Sequence, residues 1–316
     1  MPATPQPETL VLVNPVSARG QTMRRWPAIR TALWQAGVDV RVHLTSERGD
    51  AMEMARREVT AGGIRRVVAV GGDGTLNEVV NGCLDDAGTP LAEGLTVGLI
   101  PSGTGSDLRR SLGLPTDPEA AAAALARGAT RSIDVGRIDF TDGSRRLFVN
   151  VADCGLGGEV VAHMDRSRER RGRLPGTAKF LAVSIFELMT YRNRDVLLTI
   201  DGESSRRRVQ QIVVANGRCF GGGMRIAPDA ALDDGLFDVV VVGDISRTAA
   251  LSAIPRLYRG THLGLRVVEV HRASSVAIAA AGSDEPPRLD VDGEQVGRAP
   301  AEITVLPGAL RFAVPG

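Results

Sequence analysis

The chain has 316 residues, 43% apolar and 24% charged, a length comfortable for two domains and the balance of a globular protein. Its formal net charge of +1 exerts no global pull on polyanions, and 3% aromatics is too few for a stacking platform, so no nucleic-acid partner is expected. Cys83, Cys154 and Cys219 lie far apart without a CxxC, which argues against a disulfide scaffold or a zinc site and suits a reducing cytoplasm.

The first ten residues, MPATPQPETL, lack the basic start and apolar core of a signal peptide. The most apolar helix candidate, FLAVSIFELMTY (180–191), is too short to span a bilayer and contains Glu187, so no integral membrane segment is expected. Lys179 is the single lysine, which excludes any phosphate loop of the Walker A type.

In chain order, TLVLV (9–13) predicts a strand, residues 23–35 a helix, VDVRVHL (38–44) a second strand and DAMEMARREVTA a second helix. RRVVAV, LNEVVNGCL and LTVGLI (95–100) follow as strand, helix and strand, before the helical SDLRRSLGL and DPEAAAAALARG. Continuous β-branched strands separated by helices predict a parallel sheet covered on both faces, with ligands beyond the strands' carboxyl ends. From about Ser132 strand-like runs dominate, among them RLFVNVADC and RRRVQQIVVANG, punctuated by Asp-Gly turns at 142–143, 201–202, 234–235 and 292–293. Helical inserts are expected near 158–189 and 246–258. The fold class is therefore α/β plus all-β: a three-layer parallel-sheet nucleotide domain over 1–132, then an antiparallel β-sandwich over 133–300, with 301–316 a candidate to pack back on the first domain.

Three strand ends carry small polar loops. VVAVGGDGTLNE places glycines at 71, 72 and 74 between a strand and a helix, so that backbone N–H groups converge on an anion. Thr75 and Glu78 have capping-box spacing for that helix. Asp73 has no comparable structural reason, and a carboxylate beside a phosphate cradle implies Mg²⁺ or a proton-accepting role. LIPSGTGSD repeats the design with Gly103, Thr104 and Gly105, and either Ser106 or Asp107 can cap the next helix. VLVNPVSARG brings Asn14, Ser17 and Gly20 to the same edge, and Thr45 ends the second strand. Such loops describe a nucleotide site built from main chain and hydroxyls.

These residues resemble the diacylglycerol kinase catalytic fold of soluble lipid kinases, a family that includes sphingosine, ceramide and bacterial lipid kinases. GGDGTLNEVVNG carries the most specific match, and NPVSARG, GLIPSGTGSD, NVADCGLGGEVV, VANGRCFGGGMRIAPDAALDDGLFDVVVV and VDGEQVGRAPAEITVLPGALRFAVP extend it over essentially the whole chain in order. The resemblance implies ATP-dependent phosphorylation of a membrane-lipid hydroxyl, diacylglycerol by default, with sphingoid bases, ceramide, polyprenols or phosphatidylinositol as other acceptors. It places ATP against Asn14, Pro15, Val16, Ser17, Ala18, Thr45, Gly71, Gly72, Asp73, Gly74, Thr75, Leu76, Asn77, Gly103 and Thr104. It makes Glu294 the catalytic base, ties Asp73 to the catalytic magnesium, and maps a structural metal onto the Asp234 side chain and the Ala231 and Leu236 carbonyls. Two positions depart from the family pattern: Ala18 replaces a usual glycine, and Ser106 the asparagine usual in bacterial members.

A lipid acceptor implies a cytoplasmic protein held peripherally at the membrane. Arg166, Arg168, Arg170, Arg171 and Arg173 beside the apolar helix fit transient contact with an anionic surface, or equally a solvated basic loop before a core helix. A homodimer stays open. Two rivals remain. An NAD kinase-like enzyme shares GGDGT but lacks the LNEVVNG continuation and the APDAALDDGLFD turn. A lipid-binding regulator with degenerate catalysis is suggested by Ala18 and Ser106 and opposed by the intact Asp73 and Glu294.

Overall fold

Four apolar runs become parallel strands because helices cover both of their faces. The computed structural model describes residues 8–103, 105–168, 176–282 and 285–315. In chain order it has β1 (Thr9–Val13), α1 (Gln21–Gln35), β2 (Val40–Leu44), α2 (Asp50–Ala61), β3 (Arg66–Gly71), α3 (Asp73–Cys83), β4 (Thr96–Pro101), α4 (Asp107–Leu112) and α5 (Pro118–Ala126). There follow β5 (Thr130–Phe140), β6 (Arg145–Phe148), β7 (Val151–Gly155), α6 (Leu156–Arg168), α7 (Gly176–Thr190), β8 (Arg194–Ile200), β9 (Glu203–Val209), β10 (Gln211–Ala215) and β11 (Phe237–Val242). The chain ends with α8 (Arg247–Arg259), β12 (Val268–Ala273), β13 (Ser275–Ala280), β14 (Arg288–Val291), β15 (Glu294–Arg298) and β16 (Ala301–Ala313). Two compact units result, 1–135 with 307–316, and 136–306.

In the first unit the parallel strands run in the order β2-β1-β3-β4, and Arg311 and Phe312 of β16 add a parallel partner to β4. Alternate residues face opposite layers. Val11, Val13, Val68, Val70 and Ile100 pack on Trp26, Ile29 and Leu33 of α1 and Ala121, Ala122 and Leu125 of α5. The other face carries α2 and α3, which lie against each other. There Gly82 permits close contact: a Cβ on it would stand 2.4 Å from the Met52 carbonyl oxygen and 2.7 Å from the Ala55 Cβ. The last glycine of GGDGTLNEVVNG thus serves helix packing.

The second unit is an antiparallel sandwich. One sheet runs β12-β11-β10-β7-β14-β15; the facing strands include β9-β8-β13 and the first residues of β16. Their shared core holds Phe148, Phe237, Val196, Leu198, Ile212, Val214 and Ile303, with the Phe148 and Phe237 rings stacked at 5.6 Å. RLFVNVADC and RRRVQQIVVANG, each expected as one strand, are divided: β6 and β9 lie in one sheet, β7 and β10 in the other. Across the first break Phe148 and Ala152 keep one parity toward the shared core, whereas across the second Val209 and Ile212 both enter it, so the alternation shifts by one residue at Gln210. At Val149, Asn150 and Val151 the backbone N–H groups leave the ladder for the Asp292 carboxylate.

Helix α6 covers β7 and β14, and Asp153 and Asp290 face each other across those strands. Both are almost completely buried, at 2% and 7% exposure. Burial, opposed by a Gln211 hydrogen bond, pushes the Asp153 carboxyl up to about 7. Burial first, then the neighbouring Asp153, pushes Asp290 well above the carboxylate range. Protons are therefore held by the folded state and released on unfolding, so the pair's contribution to stability is fully present at low pH and is lost as pH rises from about 4 through about 7. The melting temperature should decline between pH 5 and 8, with a slope no steeper than about 1.4 kcal/mol per pH unit for each proton. Asp290→Asn should flatten that decline, and an unchanged slope in calorimetry across pH would remove the pair from the account.

Candidate active site

The strand-end loops of the first unit meet through bare backbone. A Cβ on Gly103 would stand 2.4 Å from the Gly72 Cα, so nothing larger than hydrogen fits between the β3 and β4 loops. The Ser102 N–H donates to the Gly71 carbonyl at 2.8 Å, which fixes their approach. The β1 loop joins by side chains: Asn14 Nδ2 donates to Thr75 Oγ1 at 3.0 Å, and Ser17 Oγ to the Ser102 carbonyl at 3.4 Å. Thr22 at the start of α1 donates to both the carbonyl and the hydroxyl oxygen of Ser102, at 2.9 and 2.8 Å. Neither Thr22 nor Ser102 stands out in the sequence, and their tie appears only when β1 and β4 are brought to one edge. Thr45 donates its N–H to Val13 and is buried on the same edge. Gly72, Asp73 and Gly74 are partly open to solvent, while the side chains of Leu76 and Asn77 are 1% and 0% exposed and offer a ligand no surface. Thr104 lies outside the described residues.

Three capping expectations are overturned. Helix α3 begins at Asp73 behind Gly72, so Thr75 is inside its first turn and Glu78 does not close a capping box. The Glu78 carboxylate instead accepts from the Gly49 and Ala51 N–H groups at 2.9 and 3.2 Å, serving the start of α2. Neither Ser106 nor Asp107 caps α4 through its side chain. Asp73 does: its Oδ2 accepts from the Asp107 N–H at 3.0 Å. Asp73 therefore has the structural task that the sequence did not disclose. Nor is the acidic cluster without cations, since the Asp107 carboxylate pairs with Arg110 at 2.6 Å. Burial and Arg110 lower the proton affinity of Arg109, with Asp107 and Asp73 acting in the opposite direction, which places that guanidinium in the field of both acids.

Both departures from the family pattern sit in the left-handed region, Ala18 at φ 48° and Ser106 at φ 48°. That backbone costs an L-residue about 1–2 kcal/mol relative to glycine. Ser106 is buried, and among the described residues its hydroxyl has no hydrogen-bond partner.

In the second unit Glu294 opens β15 behind the Asp292-Gly293 turn, where both residues have positive φ. Asp292 anchors that turn by accepting from the N–H groups of Val149, Asn150 and Val151 at 3.2, 3.1 and 3.0 Å. The Glu294 Oε2 accepts from Arg146 Nη2 at 3.1 Å, and both side chains keep part of their surface in solvent. The sequence marks Asp292 only as the first residue of the Asp-Gly turn at 292–293, and nothing in it points to Arg146. At the expected structural-metal turn, Asp234 Oδ1 accepts from the Leu236 N–H at 3.1 Å and Oδ2 pairs with Arg272. A guanidinium already neutralises this carboxylate, and among the described residues no group of three or more His, Cys, Asp and Glu is arranged to hold a metal. Asp234 is the one side chain of the expected metal set, and in this structure it is held by Arg272 and the Leu236 N–H.

Of the basic segment, Arg166 is exposed on α6; Arg170, Arg171 and Arg173, and the Arg168 side chain, lie outside the described residues. Helix α7 exposes Leu181, Phe186 and Met189. No helix among the described residues is long and apolar enough to cross a membrane.

A parallel-sheet unit with glycine loops at its strand ends, followed by a β-sandwich, defines the NAD kinase and diacylglycerol kinase class of folds. Residues 8–138 match the diacylglycerol kinase catalytic domain, and residues 150–314 match the YegS C-terminal NAD kinase beta sandwich-like domain. The chain is 32% identical to a diacylglycerol kinase of Mycobacterium tuberculosis (strain ATCC 25618 / H37Rv), over 96% of this chain and 94% of that one. It is 31% identical to a YegS-like lipid kinase of Stenotrophomonas maltophilia (strain K279a), over 88% of each. A crystal structure assigned as a diacylglycerol kinase from Bacillus anthracis str. Sterne superposes with a TM-score of 0.77 at 25% identity, covering 98% of this chain and 96% of that one. The chain belongs to the diacylglycerol kinase family and is a lipid kinase.

The strained positions give a test of local geometry. Ala18→Gly should stabilise the protein by about 0.5–1 kcal/mol, the relief of strain less the entropy of an added glycine. Ser106→Gly should gain more, because it also removes a buried hydroxyl without a partner. Thermal melts read both, and a lowered melting temperature for either would contradict the assigned backbone.

Proposed function

We propose that this lipid kinase transfers the γ-phosphoryl group of ATP, with Mg²⁺, to a hydroxyl of a membrane lipid, diacylglycerol first among the candidates, giving phosphatidic acid. The observation that carries this is the contact of Gly103 with Gly72: the two glycine loops touch through main chain alone at the edge where Asp73 begins α3. Backbone N–H groups and loop hydroxyls can hold phosphates there without lysine. The family relationship supports ATP as donor, and the relatives named diacylglycerol kinase support the acceptor.

The residues present fit a magnesium ion bound together with nucleotide. Asp73 and Asp107 both approach Gly105, whose Cβ position lies 3.4 Å from Asp73 Oδ2 and 3.7 Å from Asp107 Oδ2. One or two carboxylates plus phosphate oxygens are the usual protein share of a Mg²⁺ shell. When bound, the ion neutralises phosphate charge as the phosphoryl group transfers. Asp73, oriented by the Asp107 N–H, and the two glycine loops position the nucleotide. Glu294, held by the Asp292 anchor, takes the proton of the acceptor hydroxyl. Arg166 and the neighbouring basic segment, with the apolar surface of α7, would meet an anionic membrane.

Incubation with γ-labelled ATP, Mg²⁺ and a panel of pure lipids tests the reading: label should enter lipid. Label in a dinucleotide would favour the NAD kinase-like alternative, and no label at all the regulator. Asp73→Asn and Glu294→Gln should each lower kcat by about 10³ or more while the melting curve stays cooperative; normal turnover in either retracts that residue's role. Replacing the five arginines of 166–173 by alanine should reduce sedimentation with phosphatidylglycerol vesicles, most strongly at low salt. Equal sedimentation would end their part in docking.

A further inference from the structure

Phosphoryl transfer needs positive charge where the phosphate meets its acceptor, yet the chain holds one lysine, Lys179, which stands in α7. The candidate base offers a place to look for that charge. The Arg146 guanidinium lies 3.1 Å from Glu294 Oε2, and the pair flanks a single rigid device. Arg146 stands three residues before Val149 and Glu294 two residues after Asp292, and Val149 and Asp292 are hydrogen-bonded to each other at 3.2 Å. The side chains are 21% and 16% exposed, so both heads are confined yet reachable from solvent. Neighbouring arginines are committed elsewhere: Arg137 and Arg145 to Asp139, and Arg288 to Glu159.

We propose that Arg146 is a catalytic residue that binds the transferring phosphoryl group, in addition to positioning Glu294. The inference rests on Glu294 as the base and deepens that reading. As the acceptor oxygen forms its bond to the γ-phosphorus, the bridging P–O bond to the β-phosphate breaks, its electron pair leaves with ADP, and the hydroxyl proton passes to the Glu294 carboxylate. The oxygen that loses its proton to Glu294 is the oxygen that gains the phosphorus. A guanidinium within hydrogen-bond distance of that carboxylate therefore stands beside the incoming phosphoryl oxygens, and its five donors let it serve both groups. In the free enzyme the same contact holds the Glu294 carboxylate in place.

The test uses the full chain at saturating ATP and lipid. Arg146→Ala should lower kcat about a hundredfold or more, with the KM for ATP changed less than about threefold. Arg146→Lys should retain more activity than alanine, because charge survives although the fork is lost. Guanidine at millimolar concentration should restore part of the Arg146→Ala turnover and none of the Glu294→Gln turnover. Should the alanine variant fail to fold, Arg146→Gln carries the same measurements. An Arg146→Ala enzyme within about threefold of wild type, while Glu294→Gln is inactive, overturns the role of Arg146 alone. Loss of turnover with no guanidine rescue and a lysine variant no better than alanine would mark a structural ion pair and also overturn it. An active Glu294→Gln variant would instead remove the base on which the proposal rests.

Discussion

The structure of the first unit depends on two loops touching through main chain alone. With a Cβ at residue 103 pressed to within 2.4 Å of the Gly72 Cα, the β3 and β4 strand ends could not approach, and the Ser102–Gly71 hydrogen bond would be lost. Glycine at such positions costs conformational entropy on folding. The cost is offset by a network that no single loop could build: Asn14 to Thr75, Ser17 and Thr22 to Ser102, Asp73 to Asp107. Each link joins a different pair of strand ends. The strand ends are consequently tied into one hydrogen-bonded network of main chain, hydroxyls and a carboxylate.

Acidic residues of the glycine motif act across elements. Glu78 serves the start of α2 and Asp73 the start of α4, so carboxylates of α3 accept N–H groups at the starts of its two neighbours. This exchange couples helix placement to the geometry of the cradle. A carboxylate pinned by a backbone N–H cannot swing away when charge develops nearby, which is the preorganisation that electrostatic catalysis requires. Asp73 thus ties the glycine loop to the start of α4, and its substitution would loosen that tie.

In the second unit the controlling feature is Asp292. Its carboxylate gathers three successive N–H groups at the corner where the chain passes from β6 to β7, and its own positive φ turns the chain toward Glu294. The same hairpin buries Asp290 against Asp153 below α6. Arginine performs the cationic work throughout, at Asp107, Asp234 and Glu294. Its planar fork and permanent charge suit partly buried carboxylates better than a lysine ammonium would.

Local pattern was enough for much of this architecture. The parallel strands, the helices between them, the change to antiparallel sheet and the three polar strand ends all follow from residue periodicity and from glycine and proline punctuation, which act over a few neighbours. The kinase family was legible because GGDGTLNEVVNG and its companion motifs are contiguous in the chain. What pairs with what was not legible. Thr75 and Glu78 have capping-box spacing, yet their partners are Asn14 and the α2 N–H groups, 61 and 29 residues away at Asn14 and Gly49. The break after Phe148 leaves no mark in the alternation, since Phe148 and Ala152 face the same core, and the shift between Val209 and Ile212 falls on two successive glutamines that show no facing preference. The partners of Asp73, Asp234 and Glu294 likewise come from distant segments. Sequence determined which elements form and which chemistry they carry; only the tertiary structure decided the hydrogen-bond and charge partners, because those depend on distances between residues that the chain itself does not connect.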